Sequence, residues 1–197
     1  MNIIGLFPQP LYQSDVKLTN EEIAYIESNR GNTYPNVYGN VTSNDNFVLS
    51  RKELSSLKNQ IDKHLQQYVD NVIGAGGVSL EVTQSWLNYN DKNTSHHTHC
   101  HDNSIVSGVV YISREPSQLI FFKEKQYGIK PNITKMTKFN VDAVPINVKQ
   151  NMIVLFPSHM LHGVNVNNND EARISLAFNS FYRGSLGNIN KLTNLEL

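Results

Sequence analysis

The chain has a single cysteine, Cys100, in 197 residues. No intramolecular disulfide framework can form, and Cys-rich zinc or iron–sulfur sites are excluded. It also lacks an excess of either charge: 17 Lys and Arg offset 17 Asp and Glu, so the formal net charge is zero with neutral histidines. Binding driven by phosphate neutralisation needs a basic surplus to release counterions, so no nucleic-acid partner is expected. No stretch approaches the ~18 apolar residues of a membrane span. The opening Met1–Pro8 has neither a basic segment nor a long apolar core. No membrane association and no secretory signal are therefore expected, and the reading is cytoplasmic. Apolar residues at 39% and charged residues at 17% suit a globular domain with a polar, Asn-rich surface. The length suits one domain over 1–197, with a helical and extended part at 1–77, a β core at 78–182 and a tail at 183–197.

Pattern supplies the rest. Pro8 and Pro10 confine Leu6–Tyr12 to an extended edge. Thr19-Asn20-Glu21-Glu22 has the form of a capping box and predicts a short helix ending near Arg30-Gly31. Residues 31–49, rich in Gly, Asn, Ser and Thr, read as loop with one short strand. Ser50-Arg51-Lys52-Glu53 repeats the capping pattern. Leu54, Leu57, Ile61, Leu65, Tyr68, Val69, Val72 and Ile73 then recur at helical spacing until Gly74. His64 lies off that stripe and reads as a surface residue. Beyond Gly77 the period becomes two. Strands are expected at 78–90, 105–113, 118–122, 133–140, 144–148, 151–156, 162–166 and 172–182. Asn151 falls at a tight turn position often filled by Gly. Two helices ahead of about eight short strands predict a mainly β fold, a double-stranded β-helix (jelly roll) with the helices packed against it.

Four of the seven histidines lie in Ser95-His96-His97-Thr98-His99-Cys100-His101-Asp102. Imidazole is the commonest metal-binding side chain, and alternate residues of a strand share a face. Alternation puts His97, His99 and His101 on one side and His96 with Thr98 on the other. It also turns Cys100 away from its neighbours. Phe156-Pro157-Ser158-His159-Met160-Leu161-His162-Gly163 offers a distal ligand. A local pair with a distant third can cap one triangular face of an octahedral ion, leaving positions open for substrates. In the last strand Arg173, Ser175, Ala177 and Asn179 alternate with Ile174, Leu176 and Phe178. An arginine among small residues facing a barrel interior calls for an anionic partner. A hydroxyl two residues on would help it grip a carboxylate.

Trp86-x-Asn88, His99-x-His101, Ser107-Gly108-Val109-Val110-Tyr111, Phe156-Pro157-Ser158 with His162, and Arg173-Ile174-Ser175 with Phe178-Asn179 together resemble the 2-oxoglutarate/Fe(II)-dependent oxygenase superfamily. More narrowly they resemble its branch found in bacteria and cyanophages. The opening Leu6-Phe7-Pro8-x-Pro10-Leu11-Tyr12 is similar to that branch as well. The resemblance implies Fe(II) on His99, His101 and His162, with 2-oxoglutarate as cosubstrate and O2 as oxidant. It places Arg173, assisted by Ser175, on the far carboxylate and lets Asn88 and Tyr111 line the pocket. The implied reaction yields succinate and CO2 and hydroxylates a peptide, an amino acid or a small metabolite. Localisation in a bacterial or phage-infected cell follows from the same resemblance, and the oligomeric state, homodimer included, stays open. One departure stands out. His101 occupies the position where the general pattern has Asp or Glu, which leaves the site one negative charge short. Either His101 ligates or it stands behind an ion with two protein ligands; Asp102, or His97 in the alternative register, are the other candidates. His159 is expected to turn outward. A cupin reading, with Mn, Zn or Ni on the same histidines and Pro157-x-His159-x-x-His162-x-x-Asn165 as its second motif, and a non-catalytic jelly-roll module are the competing assignments.

Overall fold

In the computed structural model, which describes residues 3–124, 128–129 and 131–197, the capping box forms as its sequence dictates. The Thr19 hydroxyl accepts from Glu22 N at 3.1 Å, and a Glu22 carboxylate oxygen accepts from Thr19 N at 2.8 Å. This opens α1 (Asn20–Ser28). The second capping pattern does not form. Helix α2 (Ser55–Tyr68) begins with no cap from its own chain segment. Its Leu57 N donates instead to the other Glu22 oxygen at 2.8 Å. One buried carboxylate therefore serves the positive ends of two helices, where a negative charge is favoured. Past a turn of π-helix, Gly74 ends the helical run in the left-handed region at φ 68°.

The strands are β1 (Tyr12–Asp15), β2 (Thr33–Pro35), β3 (Val41–Ser43), β4 (Val78–Asn90), β5 (His96–His99), β6 (Val106–Tyr111) and β7 (Ser117–Phe122). They continue as β8 (Ala143–Val148), β9 (Met152–Pro157), β10 (His162–Val164), β11 (Arg173–Leu186) and β12 (Leu195–Glu196). The large sheet runs β1-β9-β6-β11-β4-β3-β2, with β12 on the end of β11, and the small sheet runs β5-β10-β7-β8. The pairing between these strands is antiparallel, and the architecture is the expected jelly roll. Leu57, Ile61, Leu65 and Tyr68 of α2 pack on Leu87, Val110, Leu155, Leu176 and Phe178 of the large sheet. The opposite face of that sheet meets the small one through Val154, Phe156, Leu119 and Phe121. Burial on both faces explains why β9 reads Met-Ile-Val-Leu-Phe without alternation.

Four expectations change. Residues 133–140 are not a strand: Ile133, Met136 and Phe139 are exposed, and the Asn140 side chain bonds Thr137 N and Lys135 O to make a turn. Apolar residues three apart cannot share a strand face. The 31–49 segment holds a hairpin of two short strands rather than one. The last long strand runs on to Leu186. His64 is half-buried rather than a bare surface residue, its Nδ1 2.7 Å from the Tyr12 hydroxyl. Asn151 does take the tight position, at φ 65°.

Candidate metal centre

Strand β5 is not regular. His162 pairs with His99, while Val164, two residues on, pairs with His96, three residues back. His97 and Thr98 thus stand opposite Gly163 alone. Such a bulge bends the strand and re-aims side chains. It overturns the expected alternation: His96 joins His99 and His101 in lining the interior cavity, and His97 is exposed. Glycine suits the close approach there, since an added Cβ would lie 3.3 Å from the His96 carbonyl and 3.4 Å from that of His97, so the facing backbone would have to give by a few tenths of an ångström.

The cavity brings together His99, His101 and His162, whose ligating nitrogens all lie within 4.8 Å of one another. Their ring centroids are 4.9 Å (His99–His101), 4.4 Å (His99–His162) and 5.1 Å (His101–His162) apart. Imidazoles at about 2.1 Å from a shared ion set their ring centres about 4.7 Å apart for right-angle coordination and about 5.4 Å for tetrahedral coordination. The spacing fits an ion. His99 Nδ1 lies 2.8 Å from the His97 carbonyl, and His162 Nδ1 lies 2.9 Å from that of Met160. A carbonyl only accepts, so each Nδ1 carries the proton and each Nε2 keeps its lone pair for a metal. His101 is held through its backbone, whose N–H donates to Ser158 O at 2.9 Å. Ser158 in turn is fixed by hydroxyl contacts to Ser107 and Ser104.

Burial pushes the imidazoles of His101 and His162 down to about 3 and about 4, with neighbouring imidazoles adding to the effect. His99 is lowered for the same first reason, and His96 falls to about 3. All four are neutral donors at pH 7. Asp102 and Cys100 are exposed, and neither belongs to a ligand group among the described residues. His159 is exposed, on the groove outside His101.

Across the cavity the register of three strands builds a polar patch. Arg173 pairs with Asn90, and Ser175 sits between Asn88 on β4 and Tyr111 on β6. All five residues line the same cavity as the histidines. The Arg173 guanidinium donates to Ser117 Oγ at 3.3 Å and Asn165 O at 3.0 Å. Among the described residues no carboxylate pairs with it. Burial lowers it from 12.5 to about 10, with Tyr111 partly restoring it, so it stays protonated at neutral pH. The Tyr111 phenol, fully enclosed, is pushed up. Asn88 accepts from the Thr42 hydroxyl at 3.1 Å. Asn90 carries a buried side-chain nitrogen with no partner. A donor left unpaired beside a cation with no anion is a cradle for a carboxylate. The sequence reading did not single out Asn90, although its position two residues from Asn88 on one face was the available signal.

Residues 84–179 match the family model described as "Putative 2OG-Fe(II) oxygenase". No curated relative matches by sequence. Among solved structures, an oxidoreductase of the 2OG-Fe(II) oxygenase family from Burkholderia pseudomallei is similar at TM-score 0.59 and 10% identity, covering 86% of this chain and 83% of that one. HygX from Streptomyces hygroscopicus, with nickel, 2-oxoglutarate and hygromycin B bound, gives 0.57 and 12%, over 87% and 82%. A Pseudomonas putida prolyl-4-hydroxylase gives 0.58 and 14%, over 88% and 94%. At these identities the neighbours speak to the fold. The family match spans the segments that carry the three histidines and Arg173, and over those residues the chain is similar to the 2OG-Fe(II) oxygenases.

Proposed function

We propose that this protein couples decarboxylation of 2-oxoglutarate to hydroxylation of a peptide, an amino acid or another small metabolite, with Fe(II) held by His99, His101 and His162. The observation that carries this is one cavity in which three neutral imidazoles face a part-buried guanidinium that has no carboxylate partner among the described residues. When bound, the iron and its cosubstrate supply the redox chemistry: 2-oxoglutarate, O2 and a C–H bond become succinate, CO2 and C–OH. The chain's own residues bind, orient and exclude water. Nε2 of His99 and of His162 are presented by their carbonyl-bonded Nδ1 atoms, and His101 completes a triangular face. Arg173 pairs with the remote carboxylate, the Ser175 hydroxyl and the free Asn90 amide donate to it, and Asn88 and Tyr111 wall the chamber. With neutral imidazoles only, the dianionic cosubstrate supplies the negative charge that the protein ligands lack. HygX, crystallised with a small molecule alongside 2-oxoglutarate, supports a small-molecule substrate class.

The test is anaerobic titration of the Fe(II)-loaded protein with 2-oxoglutarate. A visible charge-transfer band and, in air, slow uncoupled formation of succinate are expected in the wild type and absent in H162A. A band that persists in H162A, or none in the wild type, overturns the assignment.

A further inference from the structure

The bulge assembles a second imidazole triangle. His96, His97 and His99 bring ligating nitrogens within 4.8 Å of one another. Their ring centroids lie 5.0 Å (His96–His97), 4.7 Å (His96–His99) and 4.9 Å (His97–His99) apart. That spacing matches the inner triad and the range expected around one ion. Consecutive residues of a regular strand point to opposite faces and could not meet in this way. The one extra residue opposite Gly163 is what brings the His96 and His97 rings onto one ion-sized opening. Among the described residues, neither of those rings has a side-chain hydrogen-bond partner, and neither is sealed from solvent. The opening faces a groove on the outer side, bordered by Tyr38, Thr98, Phe122 and Val166, and His97 is exposed to it.

We infer that His96, His97 and His99 form an outer binding site for a borderline divalent cation of the zinc or cobalt class, in competition with the inner triad. The ring centres lie about half an ångström inside the tetrahedral spacing that such ions favour, and the exposed His97 has room to open the triangle around an ion whose fourth ligand is water. His99 belongs to both groups. With its Nδ1 proton on the His97 carbonyl it has one lone pair to give, so it serves one ion at a time. Occupation of the outer site removes a ligand from the inner one and switches the iron site off. This rests on the inner triad being the iron site.

Co2+ is the probe, because its ligand-field spectrum separates four-coordinate from six-coordinate binding. Metal-free wild type, H97A, H162A, H101A and H97A/H162A are titrated, each first checked for a cooperative thermal transition. The wild type takes one equivalent. H162A and H101A, with the inner triad broken, still take one equivalent and show the intense four-coordinate spectrum. H97A takes one equivalent without that spectrum. The double variant loses affinity by about a hundredfold or more, since losing even a supporting contact costs ten- to a hundredfold. Loss of all Co2+ binding in both H162A and H101A, with H97A unchanged from wild type, overturns the outer site. Two equivalents in the wild type overturn the competition. Failure of the inner reading looks different: binding would then be untouched in H162A and H101A and abolished in H97A.

Discussion

Replacing Arg173 by Met separates a ligand-binding cation from a structural one. Burial carries the guanidinium from 12.5 to about 10, which corresponds to roughly 3 kcal/mol against the charged form in the empty cavity. Partial solvent contact and the two neutral acceptors, Ser117 Oγ and Asn165 O, return part of that. The net cost of keeping the charge is about 1–2 kcal/mol. A thioether of similar length removes the cost and keeps most of the packing. R173M without ligand is therefore expected to melt about 2–6 °C above wild type. The Mn2+-loaded wild type should gain about 2.7 kcal/mol from 2-oxoglutarate at a hundred times its Kd, and R173M should gain none. Differential scanning fluorimetry with and without 2-oxoglutarate reads both effects. A less stable R173M that still responds to 2-oxoglutarate would refute the argument, because the guanidinium would then be a structural strut.

Three further outcomes follow from particular contacts. E22Q leaves one of two helix-end N–H donors without its acceptor; a loss of about 2–3 kcal/mol in urea unfolding is expected, and an unchanged midpoint would show that the shared carboxylate does not matter. G163A forces a methyl against the backbone of His96, His97 and Thr98; isothermal titration with Co2+ should show at least about tenfold weaker binding while the far-ultraviolet circular dichroism is retained. His64 is held below its ordinary 6.5 chiefly by burial, so the unfolded chain takes up its proton first. The stability it contributes is full above pH 6.5 and is lost as pH falls below that value. H64N should flatten the stability curve between pH 7.5 and 5, and parallel curves for the two proteins would contradict this.

The sequence was most legible where one local rule decides the outcome. Thr19 and Glu22 capped their helix, Gly74 ended the next, and Asn151 took its left-handed turn. Arg173 and Ser175 reached the cavity because strand alternation holds over the first part of β11, from Arg173 to Asn179. Legibility failed where two stretches far apart decide jointly. The start of α2 is capped by a carboxylate from α1, which no local pattern at 50–53 could announce. The facing of His96 depends on how β5 pairs with β10, a matter of register and not of composition. Residues 133–140 misled because scattered apolar residues were read at the wrong period. The unpaired amide of Asn90 became visible only once its surroundings were known.

The irregularity in β5 makes chain length, and not residue identity alone, the determinant of which imidazoles look inward. Deleting Thr98 would leave His97 alone opposite Gly163 and restore ordinary pleating, keeping His96 on the face of His99 and turning His97 to the other. A single-codon deletion thus dismantles the outer cluster while leaving His99, His101 and His162 in place.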